Sequence, residues 1–142
     1  MSLNLEQINT LLAQHFPQVS DEISIDTLSH DTSIVRLSTQ HRHLRPGGTV
    51  SGPAMFLLAD VAAYIGILAQ AGDKTLAVTT SANIDFLRKP KANRDVLAHT
   101  KVIKLGKQLA VVEVYLYSEH ETDTVARAAL TYALPPKTMS LD

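Results

Sequence analysis

The segment from residue 53 to residue 72 is the feature that most constrains the fold of this chain. It contains almost only apolar and small residues, and Asp60 is its single charged side chain. Such a segment is long enough to cross a membrane, but a carboxylate near its middle argues against that interpretation. Helices without a polar face are normally surrounded by protein. We therefore predict a central helix that the rest of the domain buries on all sides.

Asp60 needs a physical reason for its position in that helix. Moving an unpaired charge out of water is costly, so a buried acid is usually either paired or used in chemistry. A glycine-rich loop, residues 45–53, runs into the start of the helix. Loop and acid together predict an active site. The structural alternative is a satisfied acid that only orients the helix or a subunit contact.

The composition excludes several functional classes. The chain has 142 residues, with 13 Lys and Arg against 14 Asp and Glu and a formal net charge of -1. Such a balance lacks the basic footprint of a nucleic-acid binder. Cysteine is absent, which excludes disulfides and thiolate chemistry. The first residues lack the pattern of a signal peptide. We expect one cytoplasmic domain over residues 1–142, with no nucleic-acid or membrane partner.

Hydrophobic periodicity predicts the other elements. Apolar residues at helical spacing indicate a short amphipathic helix over residues 3–16, within an N-terminal segment 1–20. Alternation over 22–39, interrupted by a turn at 29–32, indicates a hairpin. After the long helix the pattern is typical of strands, and the tail 136–142 is expected to be flexible. The four predicted strands cover residues 75–86, 96–105, 109–118 and 125–134.

This order of elements predicts an α+β architecture. Two strands, one all-apolar helix and four long strands fit a single antiparallel sheet that curls around the helix. A curled sheet of this kind leaves an edge strand open. Because pairing two sheets closes such edges, we expect a homodimer or a dimer of dimers.

Three motifs resemble those of a known family, the phenylacetyl-CoA-type (PaaI-like) acyl-CoA thioesterases of the hot-dog superfamily. Residues 48–53 read Gly-Thr-Val-Ser-Gly-Pro where the family has Gly-x-x-His-Gly-Gly. Residues 58–60, Leu-Ala-Asp, lie at the matching distance, and residues 84–90 resemble a family strand ending in Phe-x-Arg-Pro. The resemblance covers residues 30–134. It implies the hot-dog fold and hydrolysis of an acyl- or aryl-CoA thioester.

The motif also departs from the family at three positions. Arg45 stands at the family's Asn, Ser51 at its His and Pro53 at its second Gly. The Ser51 hydroxyl can still donate a hydrogen bond, and Arg45 supplies charge.

The resemblance and the physics of helix ends assign catalytic roles. The Gly52 backbone N–H opens the helix, where unsatisfied donors favour developing negative charge, so we expect it to be the oxyanion donor. Asp60 is the expected general base or nucleophile, and the sequence does not separate the two roles. Tyr64 follows four residues later on the same helix face, where its hydroxyl could orient water or Asp60. Ser51 is the fourth predicted catalytic residue.

Substrate contacts are expected from the loop, from the helix and from basic turns. Coenzyme A belongs to the substrate, and neither a separate cofactor nor a metal is predicted. His41 and His43 have the spacing of a metal pair but lack further ligands, so we interpret them as exposed loop histidines. The predicted substrate-binding residues are Arg45, Gly48, Met55, Phe56, Arg88, Lys89, Lys104 and Lys107.

Three other functions compete with hydrolysis. The loss of the family's Asn and His is consistent with a hot-dog protein that binds acyl-CoA without turning it over. A hot-dog dehydratase or hydratase would typically use a His with its acid, and no His lies in the loop-helix motif. A purely structural module would not need Asp60 in the helix.

Overall fold

The computed structural model describes residues 3–72 and 76–135. The order of elements agrees with the predicted one, and each predicted boundary within the described residues lies within a few positions of the observed one. Thr75, predicted to begin a strand, and the predicted flexible tail 136–142 lie outside the described residues. The elements are α1 (Leu5–His15), β1 (Ile23–Leu28), β2 (Thr32–Leu37), a 3₁₀ turn (His41–His43), α2 (Gly52–Ala71), β3 (Val78–Phe86), β4 (Val96–Leu105), β5 (Leu109–Ser118) and β6 (Thr124–Ala133).

The six strands form one antiparallel sheet in the order β1-β2-β4-β5-β6-β3. On β2, β4 and β5 buried residues alternate with more exposed ones and pack on α2, as Val35, Ala98 and Val114 do. The predicted α+β architecture of a curled sheet around one helix is therefore confirmed. Strand β3 follows α2 in sequence yet pairs with β6, so it forms one edge of the sheet.

Helix α2 lies in the core because most of its circumference is apolar. Leu58, Ile65 and Leu68 are fully buried. Burial on all sides was, however, a wrong prediction. A stripe near the N-terminal end stays partly open, where Phe56 is 38% exposed and Asp60 is half-buried. The sheet and α1 of one chain cover the rest of the helix and leave this stripe free.

Only α2, among the described helices, is long and apolar enough to span a membrane. Within its most apolar window, 72% of the residues are buried inside the protein. The length of this helix is thus accounted for by its place in the core.

Gly66 lets α2 approach the sheet closely. A Cβ atom at this position would lie 3.2 Å from Cγ2 of Thr100 and 3.5 Å from Cγ2 of Val102. We expect Gly66→Val to lower the free energy of unfolding by about 1–3 kcal/mol, since branched methyl groups would overpack this contact. Urea denaturation followed by circular dichroism measures the change. An unchanged midpoint would show that the sheet yields at this point.

The edge strand β3 is exposed over almost its whole length. Eight of its nine residues are exposed, and only Ile84 is partly buried. Val78 and Phe86 at its two ends are 58% and 51% exposed. An unpaired strand edge with exposed apolar side chains at both ends is the kind of surface that proteins normally cover by pairing.

Candidate functional site

Two hydroxyl groups hold the carboxylate of Asp60. Thr79 Oγ1 on β3 donates to Asp60 Oδ1 at 2.7 Å, and the hydroxyl of Tyr132 on β6 lies 2.6 Å from the same oxygen. The Tyr132 hydroxyl is also 2.8 Å from the backbone carbonyl oxygen of Asp60. These contacts fix the carboxylate on the wall of a cleft and leave it half-exposed, rather than sealed in the core.

Aromatic side chains line this cleft beside the acid. The Tyr64 ring stacks on Tyr132 with centroids 6.3 Å apart, and Phe16 meets Tyr64 edge-on with centroids 6.1 Å apart. Tyr64 and Asp60 share one helix face, as predicted from their spacing, and both line the same cleft. We call this volume of about 370 Å³ the Asp60 cleft; its lining is His15, Phe16, Gln18, Asp60, Val61, Tyr64, Ala77, Val78, Thr79 and Tyr132.

Tyr132 is a neutral hydrogen-bond donor over a wide pH range. Burial raises the pKa of its hydroxyl well above the usual value, and the bond to Asp60 and the charge of that carboxylate raise it further. Because the phenol stays protonated in the fold, its hydrogen remains available to the Asp60 oxygens.

This raised pKa can be tested by alkaline titration. We expect the wild type and Tyr132→Phe to develop equal tyrosinate absorbance up to about pH 11, since Tyr132 does not ionise there. In the unfolded chain the same phenol ionises near pH 10, whereas in the folded chain it stays protonated at that pH. Ionisation therefore favours the unfolded state above about pH 10, and the contribution of Tyr132 to the free energy of unfolding is complete below that pH and is lost as the pH rises above it. An excess of one titrating tyrosine in the folded wild type would contradict the assignment.

The loop before α2 is a tight hairpin closed by backbone hydrogen bonds. The Arg45 N–H donates to the Thr49 carbonyl at 2.9 Å, and the Gly48 N–H donates to the Arg45 carbonyl at 3.0 Å. Gly47 and Gly48 both have positive φ, at 101° and 80°, which explains glycine at these two turn positions. Gly48 therefore has a turn role, and it is not a lining residue of the Asp60 cleft.

Ser51 is the N-cap of α2. Its Oγ accepts from the Ala54 N–H at 3.2 Å, and Gly52 begins the helix. The hydroxyl hydrogen of Ser51 stays available to a ligand, since the cap uses only a lone pair of the oxygen.

A second cleft surrounds the first turn of α2. Gly52 lines it together with four of the predicted substrate-binding residues, Arg45, Met55, Arg88 and Lys89. We call this volume of about 320 Å³ the Gly52 cleft; Thr49, Val50, Phe86, Leu87 and Pro90 complete its lining. Positive side chains and a helix N-terminus suit an anionic ligand.

Other predicted residues lie outside both clefts. Phe56 lies on the open stripe of α2. Lys104 and Lys107 are exposed at the hairpin between β4 and β5. Gly52 and Asp60 also line different clefts, because eight residues of helix separate them by about 12 Å. A single copy of the chain therefore does not bring the predicted oxyanion donor and the predicted acid together.

His43 corrects one prediction. His41 is exposed as expected, but His43 is only 4% exposed, because its ring bonds to the buried carboxylate of Glu22. Counting ligands in the sequence could not reveal this pair, since the two residues belong to different elements. Within residues 3–72 and 76–135, no three metal-ligating side chains cluster.

Comparisons with known proteins decide the family. Residues 47–125, more than half of the chain, match the thioesterase superfamily. The chain belongs to that superfamily. One similar solved structure is that of a protein from Silicibacter sp. TM1040 named "putative thioesterase". It is 46% identical to this chain and superposes with a TM-score of 0.86, and the match covers 94% of this chain and 93% of that protein.

Two further relatives are more distant. A Pseudomonas aeruginosa protein named "putative esterase" is 28% identical over 102 residues, which are 72% of this chain and 75% of that protein. The E. coli PaaI protein from the phenylacetic acid degradation operon is 21% identical, with a TM-score of 0.77 and coverage of 96% and 100%. It shares the fold. The predicted hot-dog fold and the resemblance to PaaI-like thioesterases are confirmed.

Two contacts of this thioesterase-superfamily site were not predicted from the sequence. Thr79 and Tyr132 are far from Asp60 in sequence and meet it because β3 and β6 are neighbours in the sheet. Thr79 and Tyr132 are direct cross-strand partners, so they could have been found only if the register of β3 against β6 had been known. That register depends on the pairing of β3 with β6, which the strand pattern does not specify.

Proposed function

We propose that the protein hydrolyses an acyl- or aryl-CoA thioester to the free acid and coenzyme A. Membership of the thioesterase superfamily supports thioester hydrolysis in general. The observation that carries the finer proposal is the Asp60 carboxylate, which two hydroxyls orient at the wall of an aromatic cleft. The two hydroxyls explain how the carboxylate is oriented, but they do not explain why an acid lies in this cleft. Action on a bound carbonyl group would explain it.

Asp60 can act in two ways, as a general base or as a nucleophile. As a general base it takes a proton from water, whose oxygen attacks the thioester carbonyl carbon. As a nucleophile its carboxylate attacks that carbon directly and forms an anhydride that water then cleaves. In either route the carbon–sulfur bond breaks and coenzyme A leaves as a thiolate. The thiolate takes up the proton that Asp60 removed from water, either in the direct attack or in the hydrolysis of the anhydride, and Asp60 is a carboxylate again at the end. The Gly52 N–H donates to the carbonyl oxygen as negative charge develops on it.

A complete site requires two copies of the chain. In one copy Asp60 and Gly52 line separate clefts, and both the β3 edge and the open stripe of α2 are exposed. We propose a homodimer, alone or within a dimer of dimers, in which Asp60 of one subunit faces Gly52 of the other. This arrangement covers the exposed edge and completes the reaction centre in one step.

The Gly52 cleft is the proposed binding place for coenzyme A. Arg45, Arg88 and Lys89 supply positive charge for phosphate groups, while Met55 offers an apolar wall. Ser51 adds a hydroxyl donor at the helix start. A coenzyme A substrate and the absence of cysteine fit a cytoplasmic protein, which we propose as its location.

Release of free thiol tests this proposal. Short, medium, long and aryl acyl-CoAs are incubated with the folded protein, and the coenzyme released is measured with a thiol reagent. We expect turnover of at least one class. The control is the corresponding oxygen ester, which distinguishes a thioesterase from a general esterase. Tight binding of acyl-CoA with no turnover of any class would replace hydrolysis by the non-catalytic binding function.

A further inference from the structure

Glu22 and His43 form a buried pair beneath the loop that precedes α2. Their side chains are 6% and 5% exposed, and His43 Nε2 lies 2.9 Å from Glu22 Oε2. The Glu22 backbone is itself fixed to the end of β2, since the Ser38 N–H donates to its carbonyl at 2.8 Å. The pair is therefore attached to the open end of the β1–β2 hairpin. Neither residue lines the Asp60 cleft or the Gly52 cleft.

The ring of His43 is oriented from two directions. The Gln40 N–H donates to Nδ1 at 2.9 Å, so Nδ1 is the unprotonated nitrogen and Nε2 carries the hydrogen donated to Glu22. Arg42 covers the carboxylate from the solvent side and donates to it through Nε at 2.9 Å and through Nη2. Burial alone would raise the pKa of Glu22, but the bonds from Arg42 and His43 lower it below its usual value.

The backbone of His43 connects this pair to the start of α2. Its carbonyl accepts from the Ser51 N–H at 2.8 Å, and the next pair inward, Leu44 and Val50, forms a β-bridge. These bonds close the base of the hairpin that contains Arg45. Ser51 caps the helix, and the next N–H is that of Gly52. If His43 moved, its carbonyl oxygen would move with it. The N-cap residue Ser51 and the Gly52 N–H beside it would then shift as well.

We propose that Glu22 and His43 form a positioning pair that fixes the loop and presents the Gly52 N–H and Arg45 to the substrate. Neither side chain touches the reacting atoms. His43 acts through its carbonyl on Ser51, and Glu22 acts by holding the His43 ring. The catalytic consequence rests on the proposed hydrolysis, whereas the structural consequence, a loop held in one conformation, does not depend on it.

Hydrogen exchange tests the structural consequence without any substrate. Glu22→Ala removes the acceptor, and His43→Asn keeps an acceptor near the Gln40 N–H but cannot reach Glu22. We expect the amides of Arg45 and Ser51 to exchange at least about tenfold faster in each variant, with β4–β5 amides unchanged. The double variant should be no faster than either single one, because both break the same contact.

A matched control removes the outer partner alone. Arg42 is 53% exposed, and Arg42→Ala leaves the bond between Glu22 and His43 in place. We expect loop exchange within about threefold of wild type in this variant. Loop exchange that stays at the wild-type rate in the Glu22 and His43 variants, or that rises equally in β4–β5, would overturn the positioning role.

Kinetics then test the catalytic consequence. Glu22→Ala and His43→Asn should each lower kcat for the best acyl-CoA by about tenfold per folded molecule, since a displaced donor loses part of its transition-state contact. Glu22→Gln, which keeps an acceptor oxygen, should return kcat to within about threefold of wild type. A kcat equal to wild type in folded Glu22→Ala would refute the catalytic part. A wild type that hydrolyses no thioester would refute the proposed function instead, and the exchange data would still decide whether the pair fixes the loop.

Discussion

Asp60→Asn is expected to lower kcat/KM for thioester hydrolysis by about 10²–10⁴-fold, the usual contribution of a general base or of an essential carboxylate. Asparagine has nearly the same shape and still accepts a hydrogen bond from Thr79 or Tyr132 through its amide oxygen. The variant should therefore fold like the wild type, with the loss confined to chemistry. Steady-state thiol release, read beside the thermal unfolding midpoint, measures both quantities.

The matched control for Asp60→Asn is Asp26→Asn. Asp26, on the edge strand β1 at the far side of the sheet from β3, is also a partly exposed carboxylate, and its side-chain donor is Arg36 on the neighbouring β2. It lies outside both clefts, so its change should leave kcat/KM within about threefold of wild type. Equal rates for Asp60→Asn and wild type would leave Asp60 with the structural role of orienting α2.

Gly52→Pro is expected to lower kcat by about 10²–10³-fold, because it removes the proposed oxyanion donor. Proline is well suited to the first helical position, because an N–H there has no intrahelical acceptor and its loss breaks no bond within the helix. Ser51 has φ of -75° and ψ of 158°, the extended conformation that a residue before proline prefers. The substitution therefore deletes one N–H with little change to the helix.

Gly52→Ala is the control, because it keeps the N–H. A Cβ atom at Gly52 would lie 3.5 Å from the Phe86 ring, which is ordinary van der Waals contact. This variant should stay within a few-fold of wild type, roughly the scale of a tolerated surface change. If both substitutions reduce kcat equally, the cause is the added side chain and the Gly52 N–H is not the donor.

Mixing the two inactive variants tests whether the site is shared. In a homodimer with two composite sites, a mixed dimer of Asp60→Asn and Gly52→Pro has one doubly altered site and one intact site. Equal amounts that exchange subunits freely should then recover about a quarter of the wild-type activity. Sites built within one subunit would recover none. Native mass spectrometry of the mixture, with one variant labelled with ¹⁵N, shows whether subunits have exchanged.

The fold was predictable because its strongest signals are local. A twenty-residue apolar helix has few ways to be buried in 142 residues, and a single curled sheet is one of them. Alternation gave the strands of the β4, β5 and β6 meander nearly to the residue. Pairing of β3 with β6, rather than with β4, could not be predicted, because period-2 patterning does not identify a strand's neighbour.

The candidate site divides in the same way. Asp60, Tyr64 and Gly52 were predicted from a lone charge, a helical spacing and a helix start, together with the resemblance to the family's motifs, and all of these are local features of one element. Thr79 and Tyr132 were not, and His43 was wrongly expected at the surface. Each of these depends on a contact between elements that are distant in sequence.

The sequence by itself determined the elements, the central helix and the family, since each follows from patterns within a short stretch of chain. Only the tertiary structure decided which hydroxyls hold Asp60, that His43 pairs with Glu22, and that Asp60 and Gly52 lie in separate clefts of one copy. The physical reason is that side-chain partners are fixed by strand order and register. Those depend on packing across the whole sheet rather than on any local preference.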